Sequence, residues 1–316
     1  MENSLPDSST PSSSQSSSPK QVLARHGKSF YWASLFLGSE LADRAARLYQ
    51  FCRFVDDLAD GDLPDRLDSL EDIRAGLIDP QHPAIATIPE LEAFIALAGE
   101  ANIPLKAAGE LLDGMLRDQH PTALETEAEL LRYCHAVAGT VGLMMCRVLN
   151  CQHPRADSFA IDLGVAMQLT NIARDVLEDA KMDRRYLPAN WFDAPLSPET
   201  IAMAANDCHL PVAAGINQLL ELADRYYASA LIGIHLLPWR SRFSIIVALR
   251  VYGQIGHQLK RGGLQWWRGR TVVNKITKAR LSITSVIDLL SGLSPNRVPE
   301  HQANLLKDLK GLAGVD

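Results

Sequence analysis

Gln168-Leu-Thr-Asn-Ile-Ala-Arg-Asp-Val-Leu-Glu-Asp179 is the stretch whose reading decides the fold. On a helix Gln168, Asn171, Asp175 and Asp179 fall at i, i+3, i+7 and i+11 and share one stripe. Ile161, Leu163, Val165, Leu169, Ile172 and Val176 cover much of the remaining surface. A stripe of amides and carboxylates on an apolar helix is unfavourable to bury unless its groups are paired or bind a cation. A solvated face would instead favour Glu and Lys, which are better helix formers. A second segment, Phe51-Cys-Arg-Phe-Val-Asp-Asp-Leu-Ala-Asp60, repeats the motif with Asp56 and Asp60 one turn apart. Like charges at that spacing repel, so neither helix gains from its pair alone. Two such pairs imply a shared role, the holding of Mg²⁺ between hard oxygen ligands and a phosphate-bearing substrate. Arg53 precedes Asp56, Asp57 and Asp60 by three, four and seven residues. A surface Arg–Asp pair is one reading; a guanidinium for phosphate is the more economical one beside a metal site.

Working outward, the pattern is helical almost throughout, with the 3.6-residue apolar period over 41–55. Helices are predicted over 90–118, 127–150, 156–180, 198–206, 212–235, 239–260 and 275–291. Gly61, Pro64, Pro80, Pro83 and Pro89 break 61–89 into short helices and turns, and 186–198 reads as a loop. Ser197 precedes Pro198 as an N-cap. No alternating strand pattern of useful length occurs, so the fold class is all-α. The run 133–149 carries almost no charge and predicts a helix buried on most sides. Its Gly139 and Gly142 fit either close helix packing or a smooth wall beside a long apolar ligand.

The chain has 316 residues, 47% hydrophobic, enough for one large core. A net charge of −6 argues against a nucleic-acid partner. Five cysteines, an odd number without a CxxC pair, point to a reduced, cytosolic setting without structural zinc or disulfides. No apolar run reaches the roughly 18 residues of a membrane span. Residues 1–20 hold nine Ser and three Pro, with Lys20 as the one basic residue. They read as a disordered tail rather than a secretory signal or a transit peptide. A catalytic domain over 21–295 and a C-terminal tail over 296–316 complete the expected organisation.

These motifs resemble the trans-isoprenyl synthases that join two prenyl diphosphates head to head, the phytoene and squalene synthases. His26-Gly-Lys-Ser-Phe-Tyr-Trp-Ala33 resembles the family's N-terminal helix, and Tyr49 to Asp60 its first aspartate motif. Tyr133-Cys-His-Ala-Val-Ala-Gly-Thr-Val-Gly142 resembles its central helix, and Gln168 to Asp179 its second motif, followed by Arg184-Arg-Tyr-Leu-Pro188. Tyr252-Gly-Gln-Ile-Gly256 and Arg270-Thr-Val-Val-Asn-Lys275 resemble its C-terminal motifs. The likeness covers roughly residues 22–290 and is carried by the ordered set rather than by any one motif. Arg185 departs from it, standing where an apolar residue is usual.

The resemblance implies a single-domain isoprenoid synthase bundle around a central apolar cavity. It assigns Asp56, Asp60, Asn171, Asp175 and Asp179 to Mg²⁺, or Mn²⁺ in its place. Lys28, Ser29, Arg53, Arg174 and Arg270 would contact phosphate oxygens. Tyr49, Gln168 and Tyr252 would line the cavity mouth, and Phe30, Tyr133, Val137, Val141 and Gly142 the apolar channel. The implied reaction is the Mg²⁺-dependent condensation of two geranylgeranyl diphosphates to phytoene. A C30 product from farnesyl diphosphate is the alternative, and a non-catalytic assembly factor or a sesquiterpene cyclase fits the intact motifs less well. No GxGxxG supports a nicotinamide domain, so NADPH is not expected. Small residues at Ser34 and Ala46 favour longer tails if both positions face the cavity. Trp266 and Trp267, set among arginines, are a candidate contact with the inner membrane face, against core tryptophans with solvated arginines. His26 and His135 are expected to be hydrogen-bonded core groups.

Overall fold

The computed structural model describes residues 18–61, 66–194, 196–290 and 298–315. Residues 1–17, most of the predicted N-terminal tail, lie outside the described residues. The chain enters its first helix earlier than expected, at α1 (Pro19–His26), where Ser18 and Gln21 form a capping box. There follow α2 (Lys28–Ser34), α3 (Ser39–Asp60), α4 (Arg66–Ile78), α5 (Ala84–Thr87), α6 (Pro89–Ala101) and α7 (Leu105–Arg117). The second half holds α8 (Glu127–Cys134), α9 (Thr140–Val148), α10 (Ala156–Lys181), α11 (Pro198–Ala202), α12 (His209–Gly233), α13 (Trp239–Arg261) and α14 (Lys275–Leu290). Two residues of β1 (Thr122–Ala123) pair in parallel with two of β2 (Arg184–Arg185).

Three departures from the predicted helices stand out. The run 90–118 is two helices, because Asn102 takes a left-handed C-cap at φ 56° and Pro104 precedes the restart. The helix expected over 198–206 stops at Ala202. The run 133–149 is interrupted by a π-helical segment over His135–Gly139 between α8 and α9.

The centre of the molecule is α10. Fifteen of its residues are buried, from Ala156 to Ala180, against six in α3, which places α10 inside the bundle and α3 at its side. α10 meets the π segment and α9 backbone to backbone. A Cβ on Gly142 would come within 2.1 Å of the Ala160 carbonyl oxygen, and one on Gly164 within 2.2 Å of that of Ala138. Close packing is therefore what Gly142 provides. Phe51 and Phe94 stack at 3.9 Å between α3 and α6.

The segment set apart in sequence as a C-terminal tail is packed into the bundle. Val298, Leu305, Leu306, Leu309, Ala313 and Val315 are buried. Tyr226 Oη donates to the Leu305 carbonyl (2.6 Å) and the Ala313 N–H donates to the Glu110 carboxylate (2.9 Å). His135 is the buried, hydrogen-bonded group expected of it, with Nε2 3.0 Å from the Ala313 carbonyl. His26, by contrast, is exposed and lines the large cavity.

Candidate active site

α3 and α10 bring their acidic ends to the mouth of a cavity of about 1430 Å³. Fourteen of the residues singled out in sequence line it: Lys28, Ser29, Arg53, Asp56, Asp60, Tyr133, Val137, Gln168, Asn171, Arg174, Asp175, Asp179, Tyr252 and Arg270. Phe30 and Tyr49 do not. They stand one layer behind, with Phe30 5.0 Å from the Tyr252 ring and 6.2 Å from that of Tyr49. Val141 and Gly142 lie further along α9. Gly142 opens on a separate apolar cavity of about 70 Å³, shared with Met145, Phe159, Leu163 and Gly233.

The cavity is lined by neither Ser34 nor Ala46. Ser34 Oγ donates to its own turn at the Tyr31 carbonyl (2.8 Å), and Ala46 is fully buried. These two small residues therefore carry no information about tail length. Of the tryptophan pair, Trp266 belongs to the packing and Trp267 is half-buried. Trp266 is buried with Nε1 donating to the His209 carbonyl (3.3 Å), and Trp267 stacks on the His209 ring at 3.8 Å.

Charge is distributed unevenly around the mouth. On α3, Arg53 donates to Asp56 (2.9 Å) and pairs with Asp57, while Arg184 from β2 donates to Asp60 (2.9 Å). On α10, Asp175 is bracketed by two guanidiniums: Arg174 Nε donates to it at 2.7 Å and Arg270 Nη2 at 3.1 Å. Asp179 forms no ion pair among the described residues. Burial, followed by the nearby Asp175 charge, pushes its carboxyl from 3.8 up to about 8. Burial and Asp60 push Asp56 up to about 6. Asn171 donates to Gln168 Oε1 (3.3 Å), leaving its own Oδ1 buried without a partner.

Crowded carboxylates and an orphaned amide oxygen form an all-oxygen donor set that fits a hard divalent cation. Among the described residues no three His, Cys, Asp or Glu side chains form a ready-made cage.

Below the acids the wall turns aromatic and aliphatic. Tyr133 Oη donates to Asp118 (2.8 Å), and its ring stacks on Tyr186 at 4.5 Å. Burial raises the Tyr133 and Tyr252 phenols above their ordinary value, so both are neutral at physiological pH. Sequence reasoning missed Asp118, Tyr186, Lys275 and Lys278, and gave Arg184 no role although its motif was in view. Arg184 follows the second aspartate motif by only a few residues, which was the available signal. Arg185 is a loop latch: it donates to the carbonyls of Leu124 (2.8 Å) and Leu187 (2.6 Å), which explains a buried cation at this position.

The fold is a helical bundle with acids and cations lining one large cavity, and the solved structures it resembles are isoprenoid synthases. A ligand-bound dehydrosqualene synthase superposes with a TM-score of 0.73 at 24% identity, over 87% of this chain and 96% of that one. A squalene synthase from Alicyclobacillus acidocaldarius gives 0.66 at 23% identity, over 78% and 95%. These likenesses carry the fold. The squalene/phytoene synthase model matches residues 23–277, and the chain belongs to that family of prenyltransferases. The phytoene synthase of Pseudescherichia vulneris is 36% identical over 266 residues, 81% of this chain and 85% of that protein. The 15-cis-phytoene synthase of a Paracoccus species is 34% identical over 272 residues, 83% and 87% of the two chains.

Proposed function

We propose that the protein condenses two geranylgeranyl diphosphates head to head to give phytoene, a step of carotenoid biosynthesis. The observation that carries this reading is a single cavity with both aspartate pairs at its mouth and aromatic and aliphatic side chains on its inner wall. Its relatives at 34–36% identity over most of the chain are phytoene synthases, which supports the C40 product. The structures of C30 enzymes lie below that identity and speak to fold alone.

Diphosphate leaves an allylic carbon only when its charge is neutralised. Mg²⁺ held by Asp56, Asp60, Asn171, Asp175 and Asp179 would act there as a Lewis acid on the diphosphate oxygens. Arg53, Arg174 and Arg270 present guanidiniums to the same cavity, which Lys28 and Ser29 also line. Arg174 and Arg270 are held ready on Asp175 and can exchange that carboxylate for phosphate oxygens. Ionisation of the first substrate releases its diphosphate, its allylic carbon alkylates the double bond of the second, and loss of a proton closes the ring to a cyclopropylcarbinyl diphosphate. That intermediate ionises in turn, rearranges and loses a proton. Tyr133 and Tyr252 offer neutral π faces to the cationic carbon and no anionic nucleophile. The apolar wall excludes the water that would quench it.

Among the described residues no helix is long and apolar enough to cross a membrane. The reading is of a cytoplasmic enzyme in peripheral contact with the inner membrane face. Incubation of the purified protein with Mg²⁺ and either geranylgeranyl or farnesyl diphosphate tests the product. Mass spectrometry of the extract should show a C40 hydrocarbon from the first; a C30 hydrocarbon made in preference would overturn the assignment.

A further inference from the structure

α14 carries a second apolar stripe on its outward side. Its sequence places Ile276, Ile283 and Ile287 at i, i+7 and i+11 with Arg280 between them, an apolar stripe that would ordinarily face a core. In the structure those isoleucines are 82%, 73% and 70% exposed. The side that meets the bundle is mixed: Lys278, Ser282 and Ser285 are buried there, and Leu281 and Leu289 pack against the core. Each of the three buried polar groups is satisfied. Lys278 Nζ donates to the Lys28 carbonyl (3.3 Å), Trp32 Nε1 donates to Ser282 Oγ (3.0 Å), and Ser285 Oγ donates to the Leu281 carbonyl (2.7 Å). The hydrogen bonds to Lys28 and Trp32 fix the rotation of the helix, so the outward isoleucines follow from its packing. Three large aliphatics on a face left uncovered among the described residues mark an interaction surface.

The same contacts lay α14 against α2, whose Tyr31 is exposed and, with the neighbouring exposed Leu35, lines the rim of the large cavity. Along the two segments themselves the charge is one-sided, and Asp288, which follows Ile287, is paired with Arg250. Residues 19–39 hold Lys20, Arg25 and Lys28 and no acid, and residues 270–287 hold Arg270, Lys275, Lys278 and Arg280 and no acid. This lies within a chain whose net charge is −6. Arg25, Lys28, Lys275 and Arg280 are exposed.

We propose that the outward face of α14, with the adjoining α2 rim, docks the protein on an anionic lipid surface. Aliphatic side chains flanked by basic ones are the chemistry of an interfacial helix, with the isoleucines entering the headgroup boundary and the cations meeting lipid phosphates. A second copy of the chain is disfavoured, because an isologous contact would bring the two basic faces together. The N-terminal residues 1–17 carry only Met1 and Leu5 as large aliphatics, too few to cover the stripe. The face rests on exposure and charge; only its use, passing a hydrocarbon from the cavity rim into the bilayer, rests on the proposed function.

Vesicle flotation tests the proposal, using phosphatidylcholine with or without phosphatidylglycerol. The wild type should float with the anionic vesicles and bind neutral ones about tenfold less. The triple variant Ile276→Ser/Ile283→Ser/Ile287→Ser should lose about tenfold in flotation. It should keep wild-type helicity by circular dichroism and wild-type turnover of substrate dispersed in detergent, since none of the three residues lines the cavity. Equal flotation of variant and wild type would overturn the proposal. So would a wild-type dimer in sedimentation that the triple variant converts to monomer, which would assign the face to a second copy. Flotation as described from a protein that makes no hydrocarbon would uphold the face and remove the proposed function instead.

Discussion

The aspartate pairs of α3 and α10 share one spacing and differ in everything around it. Asp56 and Asp60 sit on a peripheral helix, and each already has a guanidinium, from Arg53 and Arg184. Asp175 and Asp179 sit on the most buried helix of the bundle, where two arginines crowd onto Asp175 and Asp179 has no ion pair among the described residues. The α3 pair is thus partly compensated by guanidiniums, although Arg53 is shared with Asp57 and burial with Asp60 still pushes Asp56 up to about 6. The α10 pair holds an uncompensated carboxyl that either a proton or a cation must relieve, as its rise to about 8 records. The difference teaches that identical motifs can divide their labour. On the proposed function, the α10 pair, with Asp179 outside any ion pair among the described residues, would depend more on the metal than the α3 pair.

The largest effect should come from α10. Asp175→Asn/Asp179→Asn should lower turnover by about 10³-fold or more while leaving the fold intact, because Asn removes buried like charge. Asp56→Asn/Asp60→Asn should cost about 10²-fold, measured by product formation at saturating substrate. An equal or larger loss from the α3 variant would break the asymmetry. A smaller effect is expected from Arg184→Gln, about tenfold in kcat/KM, since Asp60 stays in place but loses its anchor.

The pH dependence of stability sharpens the same contrast. A carboxyl at about 8 in the folded protein and near 3.8 unfolded binds more protons in the folded state between those values. Metal-free stability should therefore fall as pH rises from about 4 to about 8 and then level off. Asp179→Asn should flatten that slope, followed as Tm by calorimetry. Asp56→Asn should flatten only the part below about 6.

Much of this site was legible because helical spacing is local. Two acids four residues apart on apolar helices announce their face, and the ordered motifs placed fourteen residues that line one cavity. What escaped depends on contacts between distant segments. Asp118 reaches the cavity from the C-cap of α7 and shows itself only through Tyr133 and Tyr186. Gly142 could serve as wall or as packing contact, and only its 2.1 Å approach to Ala160 decides for packing. The π segment at His135–Gly139 has the composition of an ordinary apolar helix. The α14 stripe had the period of a buried helix, but period names a face and not its direction. For the Trp266–Trp267 pair the sequence could not show the partner, His209, whose carbonyl accepts from the buried Trp266 and whose ring stacks on the half-buried Trp267.

Calorimetric titration of Mg²⁺ with inorganic diphosphate tests the central claim most directly, because it asks whether both pairs hold one metal–phosphate assembly. The wild type should bind diphosphate only when Mg²⁺ is present, and both Asp56→Asn/Asp60→Asn and Asp175→Asn/Asp179→Asn should weaken that binding, the α10 variant more. Undiminished Mg²⁺-dependent binding in either double variant would contradict a shared site.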